Sequence, residues 1–353
     1  MKILVINPGS TSTKVAVYHN DKVQFITNIR HDVDYLSTFN KVTDQFEFRK
    51  QLVLKELEEQ DIPLDFDAVI GRGGLVKPIS GGVYSINETM RTDTLNVTRM
   101  HACNLGCLIA AELADEIPNC KSFIADPGVV DELDDIARIS GSPLLPRIST
   151  FHALNQKAIA RRYAKENNLV YEDLNLIVCH LGGGISVGTH RKGKVVDVNN
   201  TLDGEGPFSP ERAGTLPSGQ LVDLCFSGKY SQDELKSRIS GSAGLAAHLG
   251  TTDVRVVEER IAQGDKKAQL ILDAMCYNTA KYIGSAAAVL YGKVDAILLT
   301  GGIAHSDYVV EHVKERISFL APVFVYPGED EMEALALNAL GALTGDLPII
   351  DYV

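Results

Sequence analysis

The chain opens with two apolar runs, Ile3–Ile6 and Val15–Tyr18, separated by the polar stretch Asn7-Pro-Gly-Ser-Thr-Ser-Thr-Lys14. A third run, Val23–Thr27, follows the turn Asn20-Asp21. Short apolar runs bounded by turn residues predict strands, and apolar residues at helical spacing predict helices. On that basis a helix is expected over 39–60, then a strand Ala68–Ile70 entering Gly71-Arg-Gly-Gly74. Helical patterning covers Thr92–Glu116, and a short strand, Ser122–Ala125, ends at Asp126. Beyond the Pro-containing stretch Ser142–Pro146 the chain is expected to change domain, near Ile148–Thr150. A helix, Ala153–Asn167, then leads into a strand, Asn175–Leu181, which ends on Gly182-Gly-Gly184. Strands Ile185–Thr189 and Val195–Val198 flank a turn at Arg191-Lys-Gly193. Helices are expected at 217–227, 231–239, 254–263 and 266–291, followed by a strand, Ala296–Leu299, entering Gly301-Gly302. A helix, a strand Val323–Val325 and a last helix, Met332–Leu340, complete the pattern.

The order strand, Gly/Ser-rich turn, strand, tight turn, strand occurs at 3–27 and again at 176–198. This internal repeat predicts an α/β protein of two similar halves, 1–148 with 334–353 and 149–333, whose Gly-rich turns line one cleft. A chain of 353 residues has room for two such cores.

Composition narrows the function. The net charge of −12 argues against a nucleic-acid partner, whose phosphates need Lys and Arg. A small anionic substrate remains compatible, because a local Arg/His cluster can oppose the overall sign. No apolar run is long enough to span a membrane, and the first is too short for a signal sequence, so a cytoplasmic chain is expected. The six cysteines show no zinc-type pairing and read as reduced, mostly buried thiols. The sequons at Asn87 and Asn96 carry no weight without secretion.

The candidate chemistry lies in the turns. Asn7–Lys14 offers a glycine, four small hydroxyl side chains and a cation; it suits a phosphate-wrapping turn and a plain polar hairpin equally, and it lacks the Walker spacing. The three consecutive glycines after His180 remove every side chain at a strand end, which suits close approach of a ligand to the backbone. Gly301-Gly302 stands between a strand and a helix whose start, near Ser306, offers free N–H groups. Arg72 and Arg212 suit bidentate pairing with a carboxylate or phosphate, Asp126 ends a strand, and His152 begins a helix. Singly, an ion pair or a loop cap explains each of these; their joint occurrence with the glycine turns favours a site.

Together these stretches resemble the acetate and butyrate kinases, of the superfamily that also holds sugar kinases, heat-shock chaperone ATPases and actin. Asn7–Lys14 resembles their Asn-x-Gly-Ser-Ser-Ser-x-Lys signature, and Gly71–Pro78 is similar to the segment of the first substrate arginine. Ala125–Asp131 is similar to the segment of the catalytic aspartate. Phe151-His152 matches a cleft histidine, His180–Gly184 the His-Leu-Gly-Asn/Gly-Gly signature, and Glu211–Gly214 the second arginine. Ser240–Gly244, Thr252–Arg255 and Thr300–Ile303 look like the adenosine pocket. The resemblance runs from residue 2 to about 345. Asp126-Pro-Gly-Val-Val follows the butyrate style, where acetate kinases, which are also longer, usually carry Asp-Thr-Ala-Phe-His.

What the resemblance implies is a duplicated βββαβαβα, ribonuclease H-like (actin-like ATPase) fold. The implied reaction is reversible phosphorylation of butanoate, or a related short or branched acid, by ATP: ATP + butanoate = ADP + butanoyl phosphate. The implied catalytic set is Arg72, Asp126, His152, His180 and Arg212. Asn7, Ser10, Ser12, Lys14, Gly182, Gly183, Gly184, Asp253, Arg255, Gly301 and Gly302 would bind nucleotide. Asn7, Asp126 and Glu331 would serve Mg2+, with Glu329 and Asp330 as the alternatives to Glu331. A homo-oligomer, at least a dimer, is implied too. An acetate or propionate kinase, a sugar kinase and a non-catalytic actin-like nucleotide-binding protein are the rivals; the Arg/His-rich set suits a substrate that is already an anion.

Overall fold

The computed structural model describes residues 1–97 and 100–353. It contains two compact units, Met1–Val130 with Asp330–Val353, and Asp131–Glu329.

The first unit begins with the hairpin and edge strand expected from the sequence: β1 (Lys2–Pro8), β2 (Ser12–His19) and β3 (Lys22–Arg30). A short α1 (Val33–Leu36), a 3-10 turn and α2 (Phe46–Glu59) follow. Then come β4 (Ala68–Arg72), β5 (Val83–Ser85), α3 (Glu88–Leu95), α4 (Asn104–Asp115) and β6 (Lys121–Ala125). The second unit holds α5 (Ala153–Glu166), β7 (Asn175–Leu181), β8 (Ile185–Arg191) and β9 (Lys194–Val198). It continues through α6 (Ser218–Cys225), α7 (Gln232–Ser237), α8 (Gly244–Leu249), α9 (Val254–Ala262) and α10 (Lys266–Val289). It ends with β10 (Ala296–Gly301), α11 (Asp307–Ile317) and β11 (Val323–Pro327). The chain then returns to the first unit as α12 (Glu331–Thr344) and β12 (Ile349–Asp351).

The repeat seen in the sequence is a repeat of topology. The first sheet runs β12-β5-β6-β4-β1-β2-β3 and the second β11-β10-β7-β8-β9. In each, the first strand of the unit lies between its antiparallel hairpin partner and a parallel neighbour: β1 between β2 and β4, β7 between β8 and β10. A strand in that position is covered on both faces, which explains why Ile3–Ile6 and Leu176–Cys179 are continuous apolar runs, all buried, and do not alternate. β3, at the edge, does alternate. Each unit has its own core: Leu4, Ile6, Val69, Ile109 and Ile124 in the first, Ile177, Leu272, Ile283 and Leu299 in the second.

Two expected helices are corrected, two short strands are added, and the compact units divide at other residues than expected. The compact units divide after Val130 and after Glu329, where the expected boundaries are 148 and 333. Residues 131–148 go with the second unit because Glu132 pairs with Lys157, Asp134 with Arg191, and Arg147 with Asp197 and Glu205. The helix expected over 92–116 is two helices, α3 and α4; residues 98 and 99, with the threonine of the Asn96 sequon, lie outside the described residues. The helix expected from 39 starts at Phe46, after a 3-10 turn capped at Lys41. β5 and β12, three residues each, pair with one another at the sheet's far end and carry too little pattern to predict.

Candidate active site

In the first unit the site is built at the C-terminal ends of β1, β4 and β6. Asn7 is the last buried polar residue of β1 before Pro8, and it faces the start of α12. Its Nδ2 donates to Glu331 Oε2 at 2.7 Å. Arg72, the last residue of β4, donates from Nη1 to the same Glu331 oxygen at 2.9 Å and to Asn7 Oδ1 at 3.5 Å. A guanidinium, a carboxylate and an amide thus meet at one point, and α12 returns from the second unit to supply the carboxylate. The Arg72 side chain is 36 % exposed and Glu331 13 %, so the pair sits at a surface and is not sealed in a core. Arg72 Nη2 and Nε donate to no acceptor among the described residues, which leaves that edge of the fork open to an anion.

Asp126 follows β6 directly. It is fully buried and adopts φ +39°, an unusual value for a residue with a side chain. Its Oδ1 accepts from Gly82 N at 2.8 Å, while its own N–H donates to Gly82 O at 3.1 Å. Backbone strain held by a paired carboxylate at a strand end is characteristic of a site under functional constraint.

The turn between β1 and β2 presents Ser10, Thr11 and Lys14 as exposed residues, with Ser12 half-buried. Sequence reasoning missed what lies behind it. Arg49, on α2, is fully buried against the turn, with His31 beside it; in the sequence Arg49 looks like any helix-surface cation.

In the second unit the three-glycine turn ending β7 is packed around the side chains of His180, Glu211 and Arg212. A Cβ on Gly182 would lie 2.8 Å from His180 Nε2; on Gly183, 3.3 Å from the Glu211 carboxyl; on Gly184, 2.0 Å from Arg212 Nη1. The glycines therefore make room for a histidine and an arginine. Arg212 Nη1 donates to Thr201 O at 3.0 Å. His180 is buried, and its ring stacks on that of His152 with centroids 3.8 Å apart and planes at 13°. Asn155 Nδ2 donates to Thr300 Oγ1 at 3.5 Å, so its Oδ1, 2.8 Å from His180 Nδ1, accepts the proton carried there. That directs His180 Nε2 to the other side, 3.3 Å from Glu329. His152 caps α5, with Nδ1 2.9 Å from Ser186 Oγ. Since Ser186 Oγ accepts from Gln156 Nε2 at 2.8 Å, the hydroxyl proton is available to His152 Nδ1. Asn155 and Gln156, on the first turn of α5, are thus the orienting residues that the sequence reading passed over; their spacing from His152 on a helix was the available signal.

The remaining candidates also belong to this unit. Gly301 ends β10 at φ +93°, where a Cβ would lie 2.3 Å from Leu181 O, whereas Gly302 opens on free space. Ser306 caps α11 by accepting from Val309 N at 3.0 Å. Asp253 caps α9 and pairs with the well-exposed Arg255 at 2.6 Å. Of the three successive acidic residues, Glu329 belongs with His180 and Glu331 with Arg72 and Asn7. Among the described residues no three His, Cys, Asp or Glu side chains cluster as a metal site, and no helix is long and apolar enough to cross a membrane.

Over its whole length the chain is 69% identical to a probable butyrate kinase of Bacteroides thetaiotaomicron, covering all of that protein. It is 53% identical to butyrate kinase 2 of Clostridium acetobutylicum over 98% of this chain and 97% of that one. Residues 144–324 match the model of the acetokinase family. The chain belongs to the acetokinase family. It is accordingly an enzyme of the class that phosphorylates carboxyl groups. Family membership agrees with the fold. The acetate kinase of Porphyromonas gingivalis superimposes with a TM-score of 0.80 over 98% of this chain and 99% of that one, at 18% identity. The acetate kinase of Entamoeba histolytica gives 0.76 over 95% and 98%, also at 18%. At that identity the likeness speaks for the actin-like ATPase fold alone.

Proposed function

We propose that this acetokinase transfers the γ-phosphoryl group of ATP to the carboxylate of butanoate or a closely related short-chain acid, reversibly. The observation that carries the choice of acid is the full-length identity of 53–69% with proteins named butyrate kinases. The acid arrives as an anion, so its oxygen needs no base; the obstacle is charge, because a carboxylate must approach a triphosphate. Phosphoryl transfer is governed by positioning and by stabilisation of the charge on the equatorial oxygens.

The residues divide by task. Arg72, held at one edge by Glu331 and Asn7, receives the substrate carboxylate on its open edge. Arg212 and the stacked pair His152 and His180 stabilise the phosphoryl oxygens. The hydroxyls of Ser10 and Ser12, the Lys14 ammonium and the N–H groups of the turn take the phosphates. Gly182–Gly184 give the nucleotide access to backbone, and Gly301, Gly302, Asp253 and Arg255 form the adenosine side. Asn7, Asp126 and Glu331 offer oxygen donors only, a set that suits Mg2+ carried in with the nucleotide and not a dedicated protein cage. When bound, the ion supplies charge neutralisation between the phosphate oxygens. A cytoplasmic location and a homo-oligomer complete the reading. Supporting the latter, Ile136, Ile139, Leu144 and Leu145 are at least 70% exposed, and residues 139–146 carry no charge, an apolar patch of the kind that interfaces use.

The test is acid-dependent ADP release, measured over straight and branched acids from two to five carbons. Butanoate or its isomers should give the highest kcat/KM. A maximum at acetate or propionate would assign the chain to the sibling activity, and ADP release independent of any acid would remove the reading.

A further inference from the structure

The turn Gly9–Ser12 is polarised by a residue outside it. All four of its carbonyls are engaged: Gly9 O and Ser10 O accept from Arg49, Thr11 O accepts from His31 N, and Ser12 O accepts from both Gly9 N and Arg49. The N–H groups of the exposed residues Ser10 and Thr11, by contrast, donate to no acceptor among the described residues. A turn with its carbonyls tied down and successive N–H groups unspent is an anion cradle.

Arg49 does most of this tying. Its guanidinium is fully buried, with Nη1 at 2.8 Å from Gly9 O, 3.1 Å from Ser12 O and 3.1 Å from Thr13 Oγ1. Nη2 reaches Ser10 O at 3.1 Å, and Gln45 Oε1 accepts from Nη2 at 2.9 Å and from Nε at 3.1 Å. Its hydrogen bonds are therefore satisfied, yet no carboxylate faces it among the described residues. A buried charge without a counter-charge is costly in a folded chain. Burial lowers the affinity of this guanidinium for its proton only to about 10, so the charge is present at neutral pH.

We propose that Arg49 is a positioning residue for the nucleotide: it pins the carbonyls of the turn against α2, leaves the N–H groups of Ser10 and Thr11 to the phosphates, and sets a positive charge behind them. The inference rests on the reading of Asn7–Lys14 as the phosphate turn. Its physical sense is that three carbonyl dipoles, which would repel phosphate if they rotated outward, are locked by one planar fork that a lysine cannot reproduce.

The test compares Arg49→Met, which removes charge and donors, with Arg49→Lys, which keeps the charge but loses the fork. Calorimetric Kd for Mg·ADP and the KM values for ATP and butanoate are read alongside thermal melting. In Arg49→Met the ADP Kd and ATP KM should rise at least about tenfold, with an intermediate rise in Arg49→Lys, while butanoate KM stays within about twofold. If Arg49→Met fails to fold, Arg49→Lys and Gln45→Leu, which frees one side of the fork, should still raise the ADP Kd severalfold without moving butanoate KM. A lowered melting temperature with unchanged nucleotide constants in the folded variants would overturn the proposal and leave Arg49 a structural residue. Lys14→Ala separates the two levels. If it weakens ADP binding while the Arg49 variants do not, only the Arg49 inference falls; if neither does, the phosphate-turn reading falls with it.

Discussion

Replacing Gly184 by alanine should strip catalysis from a protein that still folds. The new methyl would sit 2.0 Å from Arg212 Nη1, 2.4 Å from Cζ and 2.9 Å from Nε. Ordinary contact begins at about 3.4 Å, so the guanidinium must retreat by roughly 1.4 Å. It is the far end of a flexible side chain, so it gives way more cheaply than backbone does. The stability cost includes the 3.0 Å hydrogen bond to Thr201 O, about 1 kcal/mol. The cost to catalysis is larger. A misplacement of about 1 Å is worth on the order of 100-fold, and complete loss of a transition-state arginine about 10³–10⁵-fold. Gly184→Ala should therefore lower kcat by about 10²–10³-fold, or roughly 3–4 kcal/mol of transition-state stabilisation. KM for the acid should stay within about threefold, because the displaced group is the one assigned to the transition state. Coupled ADP release at saturating substrates, with thermal melting as the control for folding, gives the answer. A kcat within about threefold of the parent would refute the assignment of Arg212 to the transferring phosphoryl group.

Arg72→Ala removes the open edge of the fork and should raise KM for butanoate by at least about tenfold with a much smaller effect on KM for ATP; equal shifts in both would reject a carboxylate-binding role. Gly301→Ala places a side chain at φ +93° and 2.3 Å from a carbonyl oxygen, and should destabilise the fold by about 2–4 kcal/mol in denaturant unfolding. Gly302→Ala opens on free space and should leave stability within about 0.5 kcal/mol while raising KM for ATP. Burial, aided by the Arg49 charge, lowers the His31 pKa to about 4 from 6.5. Between those values the unfolded chain binds a proton that the folded chain does not, so this contribution to stability is complete above pH 6.5 and declines as the pH falls towards 4. The decline is on the order of 3 kcal/mol, and His31→Gln should flatten that limb of the stability curve; a limb of unchanged steepness would show that other groups cause it.

The sequence was most legible where local pattern and tertiary role coincide. β1 and β7 could be read because a strand covered on both faces must be apolar throughout, and the turns after them because glycine and serine runs interrupt such strands abruptly. The repeat of hairpin and edge strand exposed the duplication before any contact was known. What stayed hidden depends on partners distant in the chain. β5 and β12 are three residues each and exist through pairing with one another. Residues 131–148 look like a tail of the first half until the ion pairs of Asp134 and Arg147 tie them to the second. Arg49 lies in Phe46-Glu-Phe-Arg-Lys, a helical stretch whose only notable feature is a cation where a surface helix normally has one. Its role becomes visible once α2 is packed behind the turn. Likewise, nothing local distinguishes Glu329 from Glu331; the chain crosses between the units between them, and Glu331 meets the Arg72 guanidinium while Glu329 meets the His180 ring.

The most direct test of the central claim is to trap the product. Incubation with ATP, Mg2+, hydroxylamine and butanoate should yield butanoyl hydroxamate in a one-to-one ratio with ADP, because a carboxylate that has accepted the phosphoryl group is the species hydroxylamine intercepts. With the acid labelled by ¹⁸O, the inorganic phosphate released should carry one labelled oxygen, that of the carboxylate that attacked phosphorus. ADP formation without hydroxamate, or with unlabelled phosphate, would contradict phosphorylation of the carboxyl group.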